Sequence, residues 1–521
     1  MYTIDGIYHL LVVAVLLAVC ETQNIEDKKV VCYYTNWSVY RTNQFVFKPT
    51  QINPFLCTHL IYAFGAFDKE DGVKPFDEYQ DITKGGYRDV TNIKTFNNEL
   101  KVLLAFGGWR EGSKNFSPIA ASSERRSAFS KNLLKYLRNH HFDGVNLDWQ
   151  FPSFRDGSRP EDLENYVELV KAINEEFSNE VFPSDRTKLI LSITVPSKVE
   201  YIEKGFDLEK MQTYCDIINI AAYDYHFAYE SVVNHHAALY PLPEEIGDHP
   251  NAELNVEFTI KYLVGKGATL EKYTLGIPVY GRSFKLKNAT SSDLGAPAKS
   301  QGTRQSGIRA YYDICTNIMT DKKWMVNYPN TTAMGPYTHK GEEWVGYDDE
   351  EIVRRKAEFS VENGLSGIMF WTLDNDDFRG ECSSRNYPII QAGREGLEKA
   401  LIERNNSLTT TPAPVPVIIE EVAVIVNDTE AVDGIEREQK SLFNISNVSI
   451  NNITEFSRVI ELDDPSDGSV NGHLNRIALS KQIVSELATL KPDFNLEVAS
   501  KSNGSVYYTI KLWIVNNIFN F

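Results

Sequence analysis

Three polar side chains occupy every second position of one short segment, Phe142–Phe151, whose sequence is FDGVNLDWQF. Side chains alternate between the two faces of a β-strand, so in a strand Asn146, Asp148 and Gln150 project to one side. Asp and Asn are poor strand formers, which argues against an ordinary polar-faced edge strand. One carboxylate between two amides can hold a polar ligand by hydrogen bonds, but the amide of Gln150 cannot give up a proton near neutral pH.

Eight short runs rich in β-branched and aromatic residues alternate with helical patterns along the chain. Such alternation is typical of parallel strands joined by helices, and eight units complete a (β/α)8 or TIM barrel. A chain of 521 residues with 42% hydrophobic content can bury the large core that a barrel requires. The runs are VVCYYTN from Val30, THLIYAF from Thr58, KVLLAFGGW from Lys101, FDGVNLDW from Phe142, KLILSITVP from Lys188, DIINIAAYD from Asp216, YTLGIPVYG from Tyr273 and GIMFWTLD from Gly367.

Amphipathic stretches such as SERRSAFSKNLLKYLRNHH and PEDLENYVELVKAINEEF lie between these runs. The second opens with a proline and acidic residues, as helices do. If Gln150 lies near the C-terminal end of its strand, the three polar side chains are at the barrel mouth, where active sites of this architecture lie. The sequence therefore predicts an α/β fold with a site at the mouth of a barrel.

The segment FDGVNLDWQF resembles the catalytic strand of family 18 chitinases, which reads DGxDxDxE, and the resemblance covers residues 28–400. The matching catalytic positions are Asp143, Asn146, Asp148 and Gln150, so amides replace the middle Asp and the terminal Glu. In that family the Glu protonates the glycosidic oxygen, while the last Asp orients the substrate's own acetamido nucleophile. The resemblance implies a sugar site that retains Asp148 and has lost its proton donor.

Residues at the ends of the other predicted strands match further motifs of the family, and the resemblance implies that they bind substrate. Aromatic faces pack on sugar rings, and in the family a tryptophan like Trp371 forms the floor of the subsite that binds the cleaved sugar. Two departures weaken hydrolysis more obviously than binding: Ala221 replaces a Met, and Phe227 to Tyr229 replace a Gly-x-Trp. The implied binding residues are Tyr33, Trp37, Phe64, Gly108, Trp109, Tyr223, Asp224, Tyr280, Arg282 and Trp371.

The predicted seventh and eighth strands are too far apart for one connecting helix. The resemblance implies a small α+β lobe inserted over about residues 282–347. It also implies two disulfides, which join Cys32 to Cys57 and Cys315 to Cys382. Cys215 is then unpaired, and a buried inert thiol is favoured over a reactive one.

The N-terminal residues 1–23 resemble a secretory signal peptide, because the apolar run Leu10–Cys20 is too short to span a bilayer and is followed by a polar segment. The start of the run carries Asp5 and no Lys or Arg, so an uncleaved anchor is the alternative. The formal net charge of -18 argues against nucleic acid and anionic membranes as partners. We therefore expect a secreted protein without membrane contact after signal cleavage.

Residues 401–463 contain the Thr/Pro stretch NNSLTTTPAPVPV and an acidic segment, which predict a glycosylated linker. The fold of residues 464–521 is uncertain, with a helical pattern in LNRIALSKQIVSELATLK and a predicted hairpin turned at Asn503-Gly504. Glycosylation of Asn36 is disfavoured, because this residue would lie at the barrel mouth. Sequons begin at Asn36, Asn115, Asn288, Asn330, Asn405, Asn427, Asn444, Asn447, Asn452 and Asn503.

The function that these observations favour is binding of chitin or N-acetylglucosamine oligosaccharides by an extracellular protein, without hydrolysis. Two alternatives stay open: residual cleavage of β-1,4-N-acetylglucosamine linkages, and growth-factor-like signalling through an unknown protein receptor. The sequence shows no metal-ligand cluster, nucleotide-binding loop or Ser-His-Asp arrangement, so it predicts no cofactor and no metal.

Overall fold

The computed structural model describes residues 28–181, 186–302 and 307–410, with three further strands at 422–426, 494–502 and 505–512. The chain divides into two compact units, Met1–Thr410 and Thr411–Phe521. The predicted signal peptide 1–23 and most of the predicted linker 401–463 lie outside the described residues.

The first unit contains a closed barrel of eight parallel strands, which confirms the predicted fold class. Each strand pairs with the next, and the first also pairs with the eighth, which closes the ring. A short antiparallel strand, Val73–Pro75, pairs with the C-terminal end of the second barrel strand. The eight barrel strands are Lys29–Thr35, His59–Phe67, Lys101–Gly107, Gly144–Asp148, Ile190–Pro196, Ile217–Ala221, Tyr273–Pro278 and Gly367–Trp371. They are almost continuously buried, as parallel strands with both faces covered must be.

Helices alternate with the barrel strands, and both predicted amphipathic stretches are helical. Ser122 caps the helix Ser123–Asn139 by accepting a hydrogen bond from the backbone N–H of Arg125 at 3.3 Å. The helix Asp162–Asn179 carries acidic residues in its first turn, where the helix dipole favours negative charge. The described α-helices are Gly86–Thr91, Phe116–Ala120, Ser123–Asn139, Asp162–Asn179, Val199–Gly205, Leu208–Tyr214, Val256–Gly265, Tyr311–Thr320, Glu350–Glu362 and Pro388–Thr410. Shorter helical turns are Asn36–Tyr40, Asn43–Phe45, Pro49–Gln51, Tyr79–Thr83, Asn92–Thr95, Pro243–Glu245, Leu270–Lys272 and Leu373–Asn375.

An antiparallel sheet and the helix Tyr311–Thr320 are inserted between the seventh and eighth barrel strands. This lobe has its own apolar core, in which Phe284 and Tyr337 contact Trp344. Its strands are Tyr280–Leu286, Ala298–Gln301, Ile308–Ala310, Met325–Asn327, Tyr337–Lys340 and Glu343–Gly346. Because the lobe begins directly after a barrel strand ends, its first strand stands at the barrel mouth.

Both predicted disulfides are present. Cys32 in the first barrel strand is joined to Cys57, with 6.1 Å between their α-carbons, which lies within the usual range. Cys315 in the helix of the lobe is joined to Cys382, which follows the eighth barrel strand, so this disulfide ties the lobe to the barrel. The thiol of Cys215 is buried, and burial raises its pKa, so the thiol is chemically inert.

In the second unit the described residues form a three-stranded antiparallel sheet, with Ser505–Leu512 between Val422–Val426 and Phe494–Ser502. The last two strands in the chain form the predicted hairpin, whose turn residues lie outside the described part. The predicted helix at residues 474–491 also lies outside it. Within the described ranges, no helix combines the length and apolar character that a membrane span requires.

Candidate functional site

The polar side chains of the fourth barrel strand meet at the barrel mouth. That strand ends at Asp148, and Gln150 lies two residues beyond it. The side-chain amide of Gln150 donates to both carboxylate oxygens of Asp148, at 3.0 Å each. Asn146 lies two residues deeper in the barrel and is fully buried. We call Asn146, Asp148 and Gln150 the amide row.

Asn146 is held in a network of neutral groups inside the barrel. The hydroxyl of Tyr33 donates to Asn146 Oδ1 at 2.8 Å, and Asn146 Nδ2 donates to the hydroxyl of Ser192 at 3.0 Å. The Tyr33 and Thr194 hydroxyls lie 2.9 Å apart, and Asn219 Nδ2 donates to Ser192 at 3.2 Å. Because each of these groups is uncharged, the base of the amide row carries no formal charge.

Asp148 is the carboxyl group of the amide row, and its surroundings oppose ionisation. Burial raises the pKa of Asp148 to about 7, although the hydrogen bonds from Gln150 act in the opposite direction. Burial also raises the pKa of the Tyr33 hydroxyl, which therefore stays protonated. Near neutral pH, Asp148 populates both of its protonation states and can either donate or accept a hydrogen bond.

A second polar cluster lies at the mouth, between the end of the sixth barrel strand and the first strand of the lobe. Arg282 Nε donates to Asp224 Oδ1 at 2.7 Å, and Arg282 Nη2 donates to Asp224 Oδ2. The Tyr280 hydroxyl donates to Asp224 Oδ1 at 2.7 Å, and His236 Nδ1 is 3.2 Å from the same oxygen. We call Asp224, Tyr280 and Arg282 the charged clamp.

The charged clamp has the opposite electrostatic character from the amide row. Burial acts to raise the pKa of Asp224, but the charge and hydrogen bonds of Arg282 outweigh it, and the pKa lies well below its usual range. Arg282 in turn lies beside the ring of Phe227, with its guanidinium carbon 5.6 Å from the ring centroid. On the same ring, Lys198 Nζ is 4.4 Å from the centroid. The sequence differs from the family motif at Phe227, and this difference places an aromatic ring against the charged clamp.

Aromatic rings line the mouth between the first, second and eighth barrel strands. The Trp371 ring lies 4.9 Å from that of Tyr33 and 6.2 Å from that of Phe64, between centroids. Phe64 in turn stacks with Trp37 at 6.2 Å. Gly108 has φ +79°, and a Cβ there would meet the Phe64 ring at 2.7 Å, so only glycine leaves room for that ring. We call Trp37, Phe64 and Trp371 the aromatic row.

Two further predicted binding residues lie near these groups. Tyr223 is partly buried and packs, like Trp371, against the small apolar cluster at the centre of the barrel. Its ring lies 6.1 Å from that of Tyr280, next to the charged clamp. Trp109 is largely exposed, and the guanidinium of Arg155 covers its ring at 4.0 Å from the centroid. Trp109 therefore offers one free ring face at the rim.

Asp143 is the one predicted catalytic residue that the structure does not bring to the mouth. It precedes the fourth barrel strand, where its carboxylate accepts hydrogen bonds from Lys94 Nζ at 2.8 Å and from the backbone N–H of Val102 at 2.8 Å. Gln150 lies seven positions further along the chain, which is about 23 Å along an extended strand. Asp143 therefore fixes the N-terminal end of the strand and has no contact with the site.

Sequence analysis missed three residues that support the site. Thr194 has a recognisable signal, because it alternates with Ser192 on the inward face of a buried strand. His236 and Arg155 have none: His236 lies 12 positions from Asp224 in the connection after the sixth barrel strand, and Arg155 lies on a different loop from Trp109. The carboxyl of Asp377 lies close to both sulfurs of the disulfide at Cys382, but it accepts backbone N–H groups there and is structural.

Fold and site together define a class: a (β/α)8-barrel protein whose mouth combines aromatic ring faces with hydrogen-bonding carboxyl groups, as a carbohydrate site requires. Residues 29–376 match the sequence profile of the glycosyl hydrolases family 18. The match covers more than half of the chain, and the chain belongs to this family. The resemblance to family 18 chitinases noted from the sequence is thereby confirmed.

Relatives and solved structures agree with this assignment. Chitotriosidase-1 of Mus musculus is 36% identical over 375 residues, which cover 71% of this chain and 78% of the relative. The Group IV chitinase of Ostrinia furnacalis in complex with allosamidin aligns with a TM-score of 0.68 and 32% identity, over 72% of this chain and 100% of that one. Human YKL-39, a pseudo-chitinase with retained chitooligosaccharide binding properties, aligns with a TM-score of 0.65 and 34% identity, over 71% and 99%.

Proposed function

We propose that this protein is a secreted member of the family that binds chitin or N-acetylglucosamine oligosaccharides at the barrel mouth and does not hydrolyse them. The observation that carries the proposal is the amide side chain of Gln150, which is hydrogen-bonded to Asp148. By the resemblance of FDGVNLDWQF to the catalytic strand of the family, Gln150 takes the position of the proton donor. An amide transfers no proton near neutral pH. Loss of a positioned general acid alone costs about 10²–10⁴-fold in rate.

Ligand binding requires no proton transfer, so it can survive this loss. The aromatic row offers ring faces to pyranose rings, while Asp148 and Tyr223 offer hydrogen bonds to an N-acetyl group. The charged clamp adds fixed donors and acceptors at the mouth. The structural relative human YKL-39 is a pseudo-chitinase with retained chitooligosaccharide binding properties, which supports the separation of binding from hydrolysis.

Export from the cell is part of the proposal. It is supported by the apolar run Leu10–Cys20 and by the two disulfides, which persist in oxidising compartments. We place the signal peptide at residues 1–23. N-terminal sequencing of protein collected from culture medium tests this assignment, and recovery of Met1 only in the membrane fraction would support the uncleaved anchor instead.

The direct test is calorimetric titration with the N-acetylglucosamine hexamer, with mass spectrometry of the same sample after a day. We expect saturable binding and an intact hexamer. Shortened products that disappear in Asp148→Ala would establish a residual hydrolase. Absence of binding would contradict the proposal and favour a protein partner.

A reversal experiment tests why hydrolysis is absent. Gln150→Glu restores a carboxylic acid beside Asp148, and Asn146→Asp restores the deeper carboxyl of the family motif. We expect the double variant to cleave the hexamer at least about 10²-fold faster than the wild-type protein, because a positioned general acid is regained. The single variant Asn146→Asp is the matched control, and it should stay inactive. A double variant that binds the hexamer without cleaving it would show that these two positions are not what prevents hydrolysis.

A further inference from the structure

A cavity of about 290 Å³ opens at the N-terminal end of the barrel, the end away from the amide row. The barrel strands are parallel, so their first residues meet at this end. The cavity is lined by the first residues of the first, second, fifth and sixth barrel strands, which are Lys29, His59, Ile190 and Ile217. The other lining residues are Thr187, Lys188, Leu189 and Asp216. In a ring of eight strands the first two lie opposite the fifth and sixth, so the cavity extends across the opening of the barrel.

Three nitrogen-bearing side chains of adjacent strands project into the barrel at this end. We call Lys29, His59 and Lys101 the basic layer. Each member lies two positions before a residue of the apolar cluster inside the barrel and therefore shares its inward face. The cluster residues concerned are Val31, Ile61 and Leu103. Neighbouring strands are about 4.8 Å apart, so Lys29 and Lys101 start roughly 10 Å apart, with His59 between them.

The positive charge of the basic layer is not balanced by the protein around it. Among the described residues, the ammonium groups of Lys29 and Lys101 make no hydrogen bond and no salt bridge. Asp216 is the only carboxylate among the described residues that line the cavity. Its Oδ2 accepts the backbone N–H of Leu191 at 2.8 Å, and its Oδ1 lies 3.8 Å from Lys188 Nζ. Burial lowers the pKa of Lys29, and Asp216 acts in the opposite direction. A partly buried ammonium group without a paired anion costs free energy, which a bound anion would recover.

His59 adds a neutral donor between the two lysines. Burial, together with the charges of Lys29 and Lys101, lowers the pKa of His59 to about 3, so the ring is uncharged at neutral pH. The Thr58 hydroxyl accepts the backbone N–H of Val30 at 2.9 Å and lies 2.8 Å from His59 Nδ1, closer than the 3.2 Å to the Val30 carbonyl oxygen. We assign the hydroxyl hydrogen to the shorter contact, so Nδ1 accepts and Nε2 carries the ring hydrogen.

The basic layer therefore offers donors only: two ammonium groups and one ring N–H. Such a set suits a ligand that only accepts hydrogen bonds and carries negative charge. We propose that the N-terminal end of the barrel binds a small tetrahedral dianion, phosphate or sulfate, either free or as an ester, through Lys29, His59 and Lys101. This site is separate from the proposed sugar site, because the two lie at opposite ends of the barrel.

The test is calorimetric titration of the full chain with inorganic phosphate, at an ionic strength held constant with sodium chloride. We expect saturable binding to the wild-type protein. Binding should be about tenfold weaker in Lys29→Met and in Lys101→Met, because each variant loses one charge-assisted hydrogen bond and keeps an apolar stem. The matched control is Lys131→Met, which removes an exposed lysine of the helix Ser123–Asn139 and should leave the affinity unchanged.

Thermal unfolding separates ligand binding from a structural role of Lys29. Phosphate should raise the unfolding midpoint of the wild-type protein by mass action, and it should raise that of Lys29→Met less. Lys29→Arg keeps the charge and the donors, so it should keep most of the phosphate-dependent rise. A lysine with only a structural role would lower the midpoint without phosphate and leave the rise unchanged, which would contradict the proposal.

Two further outcomes would overturn the inference. One is no saturable binding of phosphate or sulfate to the wild-type protein, and the other is an equal loss of affinity in Lys131→Met. Titration with glucose 6-phosphate distinguishes the sources of the dianion: tighter binding than phosphate, lost in Lys29→Met, would identify an ester as the ligand, and weaker binding would identify the free ion. Binding of the N-acetylglucosamine hexamer should be the same in Lys29→Met as in the wild type, so failure of the proposed function would leave this inference standing.

Discussion

The amide row and the charged clamp lie at one barrel mouth, and each contains one carboxyl group. Asp148 in the amide row is surrounded by neutral groups, and its pKa is raised to about 7. Asp224 in the charged clamp is paired with Arg282, and its pKa is lowered. The same fold therefore holds one carboxyl near its neutral form and the other firmly ionised.

This difference bears on two functions of a sugar site, acid catalysis and ligand binding. Acid catalysis needs a group that changes its charge during the reaction, and the amides at Asn146 and Gln150 cannot do so. Binding needs groups that keep one state and one position, as the clamp does. Under the proposed function, the missing proton transfer belongs to the amide row, and ligand binding belongs to the charged clamp and the aromatic row.

The largest expected effect is on the pH dependence of stability in the variant Asp148→Asn. Folding raises the pKa of Asp148 from 3.8 to about 7, so its contribution to stability is fully present below about pH 4 and is lost as the pH rises through 7. This rise corresponds to roughly 4 kcal/mol. We expect the free energy of unfolding of Asp148→Asn, relative to wild type, to increase by roughly 4 kcal/mol from about pH 4 to about pH 8, as measured by urea denaturation.

The matched variant in the clamp, Asp224→Asn, should show the opposite trend. Because the pKa of Asp224 is lowered on folding, its ionised form contributes stability above its ordinary pKa, and this contribution is lost as the pH falls below about 4. The variant should therefore be less stable than wild type at neutral pH, with a deficit that shrinks in acid. A common pH trend in the two variants would contradict the comparison.

A smaller effect is expected when the clamp loses its cation. In Arg282→Ala the carboxylate of Asp224 stays partly buried without its partner, and we expect the free energy of unfolding at neutral pH to fall by about 3 kcal/mol. The double variant Arg282→Ala, Asp224→Asn leaves no unpaired charge, so it should lose less than the single variant does. A double variant that loses as much as the sum of the single changes would show that the two residues act independently.

Much of the molecule follows from local sequence patterns. The barrel strands are short apolar runs that are buried on both faces, and few other structures fit such runs. The amide row follows from the alternation of side chains in a strand, which has a period of two residues. The disulfides and the lobe between the seventh and eighth strands were implied by the family resemblance. These features depend on strand periodicity or on motifs that keep their spacing.

Other features depend on contacts that the sequence does not encode locally. Asp143 shares a motif with Asp148, but the direction of the strand carries it to the opposite end of the barrel. His236 reaches Asp224 across 12 positions, and Arg155 covers Trp109 across 46 positions, so no motif predicts either contact. The raised pKa of Asp148 likewise depends on burial, which only the folded barrel provides.

The smallest expected effects come from two tyrosine hydroxyls, one in each cluster. Tyr280 donates to the ionised carboxylate of Asp224 at 2.7 Å, whereas Tyr33 donates to the neutral amide oxygen of Asn146 at 2.8 Å. Hydrogen bonds to charged groups contribute about 1.5–3 kcal/mol, and neutral ones about 0.5–1.5 kcal/mol. We therefore expect Tyr280→Phe to lower the free energy of unfolding by about 2 kcal/mol and Tyr33→Phe by about 1 kcal/mol, in denaturation at neutral pH.

Both rings are buried, and each substitution removes a single oxygen, so the two variants are controls for one another. Thr194 Oγ1 lies 3.3 Å from Asn146 Oδ1 and can satisfy that acceptor once the Tyr33 hydroxyl is gone, which further limits the loss in Tyr33→Phe. Asp224 Oδ1 keeps Arg282 Nε and lies 3.2 Å from His236 Nδ1, but it carries a charge, so loss of the tyrosine donor costs more there than at a neutral amide oxygen. A larger loss of unfolding free energy in Tyr33→Phe than in Tyr280→Phe would therefore contradict the comparison. It would mean that the tyrosine hydrogen bond stabilises the amide row more than the charged clamp.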